Sequence, residues 1–383
     1  MKRTGSVSKA IWVIVAGMCI LWMLFGMVML PGAKGHDFLN LYTGASLARE
    51  GRFAELHNSA VQLEREQVYY PKRTFLVPFV RPVFYAVFLS PLASLSFDHA
   101  FVVWVALQSA LLLACWAWGF HRFGLNALVF GSLYLPAPLG IGTGQDCVVM
   151  LALLAVAYEL AERKRFFASG ATLALMLIKF HLIVLWPVAL LLQRRWRMLC
   201  GYCAAAAVEV AITLALGGVR GARQYLALLQ DKSLERLSPS PELMVNYQGL
   251  LENLGISSFW IAALMLGILI TVFVLTVREA PLWRMFSLTA LASLFVAPHV
   301  YAYDATLLLV PVFLVTAYSA RPLNRIAATL FSTPLPFGFA LAGKPYALVA
   351  SASLLVLLLL VASESTAQRA PDEAWQPRLV SKQ

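Results

Sequence analysis

Long apolar runs, separated by short polar segments, recur along almost the whole chain. The clearest runs cover residues 11–30, 198–216, 258–277, 284–298, 304–320, 325–342 and 346–363. A helix that crosses a bilayer needs ~20 mostly apolar residues. We therefore predict an all-α, polytopic transmembrane bundle of about 10–12 membrane helices. With 60% hydrophobic and 13% charged residues, the chain has no room for a soluble domain, so residues 1–363 are predicted to form a single domain.

Two polar segments are long enough to form large loops. The first covers residues 32–77 with six basic and five acidic residues, and the second covers about residues 217–257. In the first loop, Phe38, Leu41 and Tyr42 recur at helical spacing. This pattern predicts short helices that lie in the membrane interface with their apolar faces down.

The basic residues indicate which loops face the cytoplasm. The net charge is +11, but Lys and Arg cluster between apolar runs rather than along one face. That distribution is typical of cytoplasmic loops, so no nucleic-acid partner is expected. We predict a multi-pass protein of a bacterial inner membrane, with both large loops in the periplasm. The polar residues 364–383 are predicted to form a disordered cytoplasmic tail.

The part between residues 78 and 192 is harder to place. The basic clusters at 162–165 and 194–197 both favour the cytoplasm, although one apolar stretch separates them. That stretch carries Lys179 and His181, and ionisable side chains are costly inside a membrane unless they line a wet cavity. We therefore predict a broken element of two half-helices that brings Lys179 to the outer side. Residues 78–97 then form a partial or re-entrant segment; the alternative is twelve plain spans with 163–165 outside.

The preferred topology brings polar residues from distant parts of the chain to the periplasmic face. These residues are Asp37, Arg81, Gln145, Asp146, Lys179, His181, Asn246, Gln248, His299, Tyr301 and Asp304. Polar side chains that converge on one face of a membrane bundle are the usual sign of a functional site. A periplasmic site is therefore expected.

Several short motifs occur among these residues in a definite order. They are Asp37-Phe-x-x-Leu-Tyr, Arg81-Pro82-x-x-Tyr85, Gly144-Gln145, Ala168-x-Gly170 followed by Lys179, Asn246-Tyr247-Gln248-Gly249-Leu250, and Pro298-His299 with Asp304. Their succession, over about residues 36–315, resembles glycosyltransferase family 87. These are polyprenol-phosphate-mannose-dependent mannosyltransferases of the GT-C fold.

The resemblance implies a role for most of these residues. Asp37 would be the general base of an inverting transfer, and His299 would assist it. Arg81, Lys179 and His181 suit the donor phosphate, since cations neutralise a departing phosphate and Arg binds it in a bidentate way. The sugar-site candidates are Gln145, Asn246 and Gln248 for the hydroxyl groups, and Tyr42, Tyr85 and Tyr301 for the lining. Asp146 and Asp304 stay undecided between the site and helix capping.

Two departures from the family pattern leave the sugar open. Val80-Arg81-Pro82 stands where the family usually has a Tyr-Pro-Pro-like sequence, and Asp146 stands where an amide is common. Arg81 could take over part of the phosphate contact, or the donor sugar could differ from mannose. Mannose remains the first expectation, with a lipid-linked donor, a glycolipid or glycan acceptor, and membrane lipids as partners.

Other interpretations stay open at this level. Asp37 could only cap a helix, and Arg81 and Lys179 could extend to lipid headgroups. No Asp-x-Asp motif or histidine set indicates a metal, so no cofactor is expected. The main rival function is a secondary transporter or a lipid or glycolipid flippase, because broken helices and an intramembrane lysine also occur there. A structural or polymer-assembly partner is a third possibility.

Overall fold

The computed structural model describes residues 37–72, 74–231 and 241–364. The predicted first membrane helix, residues 11–30, lies outside the described residues, and so does the predicted tail after Glu364. Throughout the described ranges the regular structure is helical. The chain is therefore all-α, as its pattern predicts.

The α-helices are α1 (Asp37–Arg49), α2 (Ser59–Tyr69), α3 (Val83–Leu89), α4 (Phe97–Phe123), α5 (Leu125–Leu133), α6 (Pro136–Thr143), α7 (Cys147–Glu162), α8 (Phe166–Leu175), α9 (Trp186–Leu192), α10 (Trp196–Leu229), α11 (Tyr247–Asn253), α12 (Phe259–Val277), α13 (Leu282–Val296), α14 (Leu309–Tyr318), α15 (Pro322–Phe331), α16 (Pro334–Leu341) and α17 (Leu348–Ala362). Short 3₁₀ helices cover Phe53–Glu55, Ser90–Ser94, Met176–Ile183, Pro241–Leu243 and Ala302–Leu308.

Several helices in the described ranges are long and apolar enough to cross a membrane. They are Phe97–Phe123, Phe166–Ile183, Trp196–Leu229 and Phe259–Val277. Helices α5 and α6, bent by 50° at a short break, could together form a fifth span. Shorter apolar helices of 10–17 residues lie beside them. The protein is thus a multi-pass membrane protein whose bundle combines full spans with short and broken helices.

The surface of the longest spans suits contact with lipid. Only 17% of the most apolar stretch of α10, and 17% of that of α12, is buried in the protein. Their exposed side chains are mostly apolar, as Val208 on α10 and Leu264 on α12 illustrate. Lipid tails are as apolar as these side chains, so the exposed faces need no protein partner.

Helix α1 is buried on all sides inside the protein, whereas its apolar spacing predicted a helix with only one apolar face covered. Every residue from Phe38 to Ala48 is buried, and the Tyr42 hydroxyl donates to the Leu95 carbonyl at 2.6 Å. The reason is that apolar and small residues occupy all sides of this helix, which favours burial over a one-sided surface position. Helix α2 is only partly buried, so it matches the predicted surface helix better.

The segment after α8 is broken, as the topology predicts. Lys179 has a non-helical backbone, with φ −127° and ψ 64°. Gly170 of α8 and Gly201 of α10 each leave no space for a Cβ, because they contact the backbones of Met198 and Phe167. Helices α8 and α10 therefore begin close together. A straight span between their two basic loops would have separated these ends.

One end of the bundle gathers the basic loops that were predicted to be cytoplasmic. Arg122 at the end of α4 pairs with Glu162 at the end of α7, with 2.6 Å between Nη2 and Oε2. The Tyr318 ring at the end of α14 lies 6.0 Å from Phe123 and 6.4 Å from Trp283. We call this the Arg-rich end.

The opposite end gathers the loops that were predicted to be periplasmic. The Asn246 amide donates to the Ala297 carbonyl at 2.6 Å, which ties the start of α11 to the end of α13. Lys344, between α16 and α17, lies 3.4 Å from Glu252 of α11. We call this the site end, since the polar motifs of the sequence meet there.

Candidate functional site

Four charged side chains meet inside the protein near the site end. The Arg81 guanidinium donates to Asp146 through Nε at 2.8 Å and Nη2 at 3.2 Å. The Lys179 Nζ lies 3.1 Å from Asp146 Oδ1 and 2.7 Å from Asp304 Oδ1. None of these four residues, taken as a whole, is more than 7% exposed. We call them the charged cluster, and their two positive and two negative charges cancel.

Opposite charges keep the members of the cluster ionised. Burial favours the neutral form of Asp146, but Arg81 and Lys179 outweigh it and hold the pKa of this carboxyl well below its usual range. Burial also disfavours the charged guanidinium, yet Asp146 raises the pKa of Arg81 above its ordinary value. Removing one partner would leave a buried charge without compensation, which is strongly destabilising.

Lys179 reaches the cluster because its helix is broken at that residue. Besides its two carboxylate partners, Nζ donates to Gln145 Oε1 at 3.2 Å and lies 3.3 Å from Cys147 Sγ. It also lies 5.5 Å from the ring centroid of Tyr303. An ammonium group has three N–H donors. The neighbouring oxygens are enough to occupy all three.

Arg81 follows an extended stretch whose backbone is held by a side chain from α2. Gln62 Oε1 accepts a hydrogen bond from the Phe79 N–H at 2.8 Å. Its Nε2 donates to the carbonyls of Phe79 at 3.3 Å and Leu56 at 2.7 Å. Side-chain partners replace the ladder that an extended chain finds in a sheet. Gln62 therefore fixes the approach of the chain to Arg81.

His57 holds Arg81 itself. The His57 Nε2 lies 2.8 Å from the Arg81 carbonyl oxygen, so it carries the proton and donates, because a carbonyl only accepts. The His57 ring packs on Tyr225 of α10 at 4.4 Å, and the Tyr225 hydroxyl donates to the Val80 carbonyl at 3.4 Å. Burial lowers the pKa of His57 to about 4. His57 is therefore a neutral positioning residue near pH 7.

The turn that carries Gln145 and Asp146 depends on Gly144. Gly144 ends α6 with φ +78°, and a Cβ there would lie 2.6 Å from the Phe38 Cβ. Trp104 Nε1 donates to the Gly144 carbonyl at 2.9 Å, and Gln108 Nε2 donates to the Gln145 carbonyl. Glycine is needed here both for the positive φ and for the close approach of α1.

Asp37 lies beside this turn. It is the first residue of α1 and is partly exposed, and the next residue, Phe38, packs directly against Gly144. A helix N-terminus favours a negative side chain. The Asp37 carboxylate thus stands at the rim of the region that holds the charged cluster.

Aromatic side chains from the 299–304 stretch form another side of the site. The Tyr301 ring lies 4.8 Å from His299 and 5.7 Å from Tyr303. Burial, then Asp304 and then Asp37 raise the pKa of Tyr301 to about 12, so Tyr301 lies within electrostatic range of both acids. Burial, together with Lys179 and Arg81, lowers the pKa of His299 despite the opposing effect of Asp304.

A family model of glycosyltransferase family 87 matches residues 79–298, more than half of the chain. The chain belongs to glycosyltransferase family 87. It is therefore a membrane glycosyltransferase, with a sugar donor and an acceptor as substrates. Three members of the charged cluster fall within the matched residues, whereas Asp37 and Asp304 lie outside them. No curated protein and no solved structure matches the chain.

The structure of this family 87 glycosyltransferase brings most of the predicted site residues into one region. They are Asp37, Arg81, Tyr85, Gln145, Lys179, His181, His299, Tyr301 and Asp304. Tyr85 is 3% exposed, and its hydroxyl makes no hydrogen bond to any described residue. A buried hydroxyl usually has a partner. A ligand atom could supply that partner.

Asn246 and Gln248 lie differently from the other predicted residues. Asn246 is fully buried; its Nδ2 donates to Ala297, and its Oδ1 accepts from the Gly249 N–H at 3.1 Å. Both ends of this amide are used to cap α11 and hold the loop before His299. Gln248 is partly exposed next to Tyr247. The structure thus places Asn246 as a support of the site rather than on its surface.

Arg81 and Lys179, which the resemblance assigns to the donor phosphate, are paired with carboxylates in the structure. Asp146 and Asp304, which the sequence left between site and capping, are the direct partners of Arg81 and Lys179. Asp304 performs both tasks, since its Oδ2 also accepts from the Tyr301 N–H at 3.0 Å. These acids lie 65 and 125 residues away in sequence from Arg81 and Lys179, and the fold brings them together into a neutral cluster.

Sequence reasoning missed several side chains around the cluster. Cys147 and Tyr303 both contact Lys179, and His57 holds the Arg81 carbonyl. The available signal was adjacency, since Cys147 follows Asp146 and Tyr303 precedes Asp304. Within residues 37–72, 74–231 and 241–364, no group of three or more His, Cys, Asp or Glu side chains could hold a metal ion.

Proposed function

We propose that this protein transfers a sugar, with mannose as the first candidate, from a polyprenyl-phosphate donor to a glycolipid or glycan acceptor. The reaction takes place on the periplasmic side of a bacterial inner membrane, inverts the anomeric centre, and uses neither a metal nor another cofactor. The observation that carries the proposal is that α1 places Asp37 beside the turn of Gln145 and Asp146. A candidate base and a set of cations therefore share one end of the bundle.

The proposed chemistry needs one carboxylate. The acceptor hydroxyl oxygen attacks the anomeric carbon, the bond from that carbon to the phosphate oxygen breaks, and its electron pair stays on the phosphate. Asp37 takes the hydroxyl proton. Inversion by direct displacement forms no covalent enzyme intermediate, so no second carboxylate is required as a nucleophile. The leaving group is already a phosphate and needs charge stabilisation more than protonation.

Arg81 is the cation best suited to contact the donor phosphate. Its Nε and Nη2 atoms bind Asp146, whereas its Nη1 atom makes no hydrogen bond to a described residue. Lys179 already has enough acceptors for all its donors. We therefore assign the phosphate contact to Arg81 Nη1 and the Tyr85 hydroxyl. Lys179 holds the two carboxylates that orient Arg81.

The remaining side chains suit the sugar and the acceptor. The lowered pKa of His299 leaves its ring neutral near pH 7, so it can donate and accept one hydrogen bond each. We propose that His299 orients the acceptor hydroxyl or the phosphate, assisted by His181. Tyr301, Gln145 and Gln248 are the candidates for contacts with sugar hydroxyl groups.

A donor comparison with the purified protein in liposomes tests the proposal. We expect covalent transfer from polyprenyl-phosphate mannose, detected as product mass, and none from a nucleotide-linked mannose. Failure with a panel of polyprenyl-phosphate sugars, or transfer from the nucleotide sugar, would contradict the donor assignment. Movement of the lipid-linked sugar between leaflets without a covalent product would favour a flippase. Mass analysis of envelope glycans from a deletion strain would then name the missing sugar.

A further inference from the structure

The charge balance of the cluster limits which phosphate can bind beside it. Two cations and two carboxylates cancel, and all four side chains are buried. Lys179 cannot turn toward a ligand without leaving Asp304, from which its Nζ lies 2.7 Å. Arg81 Nη1 has no hydrogen-bond partner among the described residues, so Nη1 and the second N–H of Nη2 are the donors that remain available. The cluster therefore offers a phosphate one open hydrogen-bonding edge and no surplus positive charge.

We propose that Asp304 and Asp146 make this site select a phosphate by its charge. The site binds the singly charged phosphodiester of the donor and disfavours the doubly charged phosphomonoester that transfer leaves behind. This inference rests on the proposed polyprenyl-phosphate donor. Asp304 and Asp146 then have a function other than binding sugar or removing a proton. They keep the monoester product from remaining in the site.

The physical reason lies in the change of ligand charge during transfer. A phosphodiester carries one negative charge, whereas a monoester carries about 1.5 to 2 near pH 7 because its second pKa is about 6. While the bond breaks, the positive charge that develops on the sugar offsets the second negative charge of the phosphate. Once transfer is complete, that second charge meets two carboxylates whose cations are already paired. In a buried site such a charge is poorly screened, so its cost is larger than at the surface. The carboxylates that bind the two cations also repel this second charge, and this repulsion favours release of the monoester.

Two ligands that differ by one methyl group and one charge isolate this effect. The first is a short-chain prenyl monophosphate and the second is its methyl ester, which stays singly charged. Both ligands compete with a labelled donor analogue for the wild-type protein in detergent at pH 7.5. We expect the dissociation constant of the methyl ester to be lower than that of the monophosphate by a factor on the order of ten. At pH 5 the monoester also carries one charge, so the factor should fall toward one.

Titration of the protein does not mimic this pH effect on the ratio. The other titratable groups around the cluster are His181, His299, Asp37, Cys147, Tyr85, Tyr301 and Tyr303. Any charge that one of them gains or loses at pH 5 acts on two ligands of equal charge. The ratio of the two dissociation constants at pH 5 therefore reports ligand shape alone. Its change between pH 5 and pH 7.5 reports selection by charge.

The decisive variant is Asp304→Asn, which removes one negative charge from the cluster. We compare the dissociation constant of the monophosphate, divided by that of the methyl ester, between this variant and wild type at pH 7.5. We expect this ratio to be at least tenfold lower in the variant. Turnover should become more sensitive to inhibition by the monophosphate product. Asp146→Asn gives the same charge change if Asp304→Asn fails to fold. Glu252→Gln, at an acid that is 45% exposed in the pair with Lys344, is the control and should leave the ratio unchanged.

The outcomes separate this inference from the proposed function. If wild type binds neither ligand and uses no polyprenyl-phosphate donor, the proposed function fails. If wild type uses that donor but binds both ligands equally at pH 7.5, selection by charge is overturned. An unchanged ratio in folded Asp304→Asn and Asp146→Asn overturns it as well. A parallel loss of affinity for both ligands would assign these acids a structural role only.

Discussion

Gly144 is the residue at which the local backbone most directly controls the site. Gly144 has a φ of +78°, and a Cβ added there would lie only 2.6 Å from the Phe38 Cβ. Any side chain at this position would therefore strain the backbone and push α1 away. We expect Gly144→Ala to lower thermal stability in detergent and to reduce transfer sharply. The left-handed backbone alone costs an alanine about 1–2 kcal/mol, and the clash adds to this.

Gly255 provides the matched control for that experiment. It has φ +70°, but nothing lies within 4 Å of a Cβ placed there. Gly255→Ala should therefore show only the backbone cost and keep its transfer rate. Equal loss of activity in the two variants would mean that contact between α1 and the turn at Gly144 does not control the site.

At the scale of elements, His57 connects the loop before α2, the stretch ending at Arg81, and α10. Burial lowers the pKa of His57 to about 4, below the ~6.5 of an unfolded chain. The folded state then binds fewer protons, so stability is complete above about pH 6.5 and falls as the pH drops toward 4. We expect wild type to lose more in melting temperature between pH 7.5 and pH 5 than His57→Gln.

The same variant separates positioning from stability. Gln can still donate to the Arg81 carbonyl, so His57→Gln should keep most of the transfer activity at pH 7.5. His57→Ala removes the hydrogen bond to the Arg81 carbonyl and should raise the KM for the lipid-linked sugar. If the two variants have the same KM and the same pH dependence as wild type, His57 does not position Arg81.

The sequence predicted the elements better than it predicted their contacts. The break at Lys179 follows from the cost of an ionisable side chain in an apolar run, which is a local property. The burial of α1 does not follow from a local property, because the same apolar spacing also suits an interfacial helix. The partners of Lys179 do not follow from one either. Asp304 lies 125 residues away, and local patterns carry no information on such pairs. The candidate region was therefore predictable, whereas its neutral charge was not.

For the molecule as a whole, the topology makes a prediction that labelling can check. The Arg-rich end and the site end should lie on opposite sides of the membrane. A cysteine at Lys344, 47% exposed, should react with an impermeant maleimide added to spheroplasts. A cysteine at Arg163, 65% exposed, should react only after permeabilisation. Labelling of both without permeabilisation would favour twelve plain spans with 163–165 outside.

We expect the site end of the bundle to transfer sugar with Asp37 as the base. The most direct test measures transfer from a polyprenyl-phosphate sugar, together with donor binding, for Asp37→Asn. Asp98→Asn is the control, because Asp98 is also a first-turn acid of a helix, α4, and is exposed. We predict a fall in turnover on the order of 10²–10⁴-fold for Asp37→Asn, with donor affinity retained, and little change for Asp98→Asn. Turnover of Asp37→Asn at the wild-type rate would contradict the account.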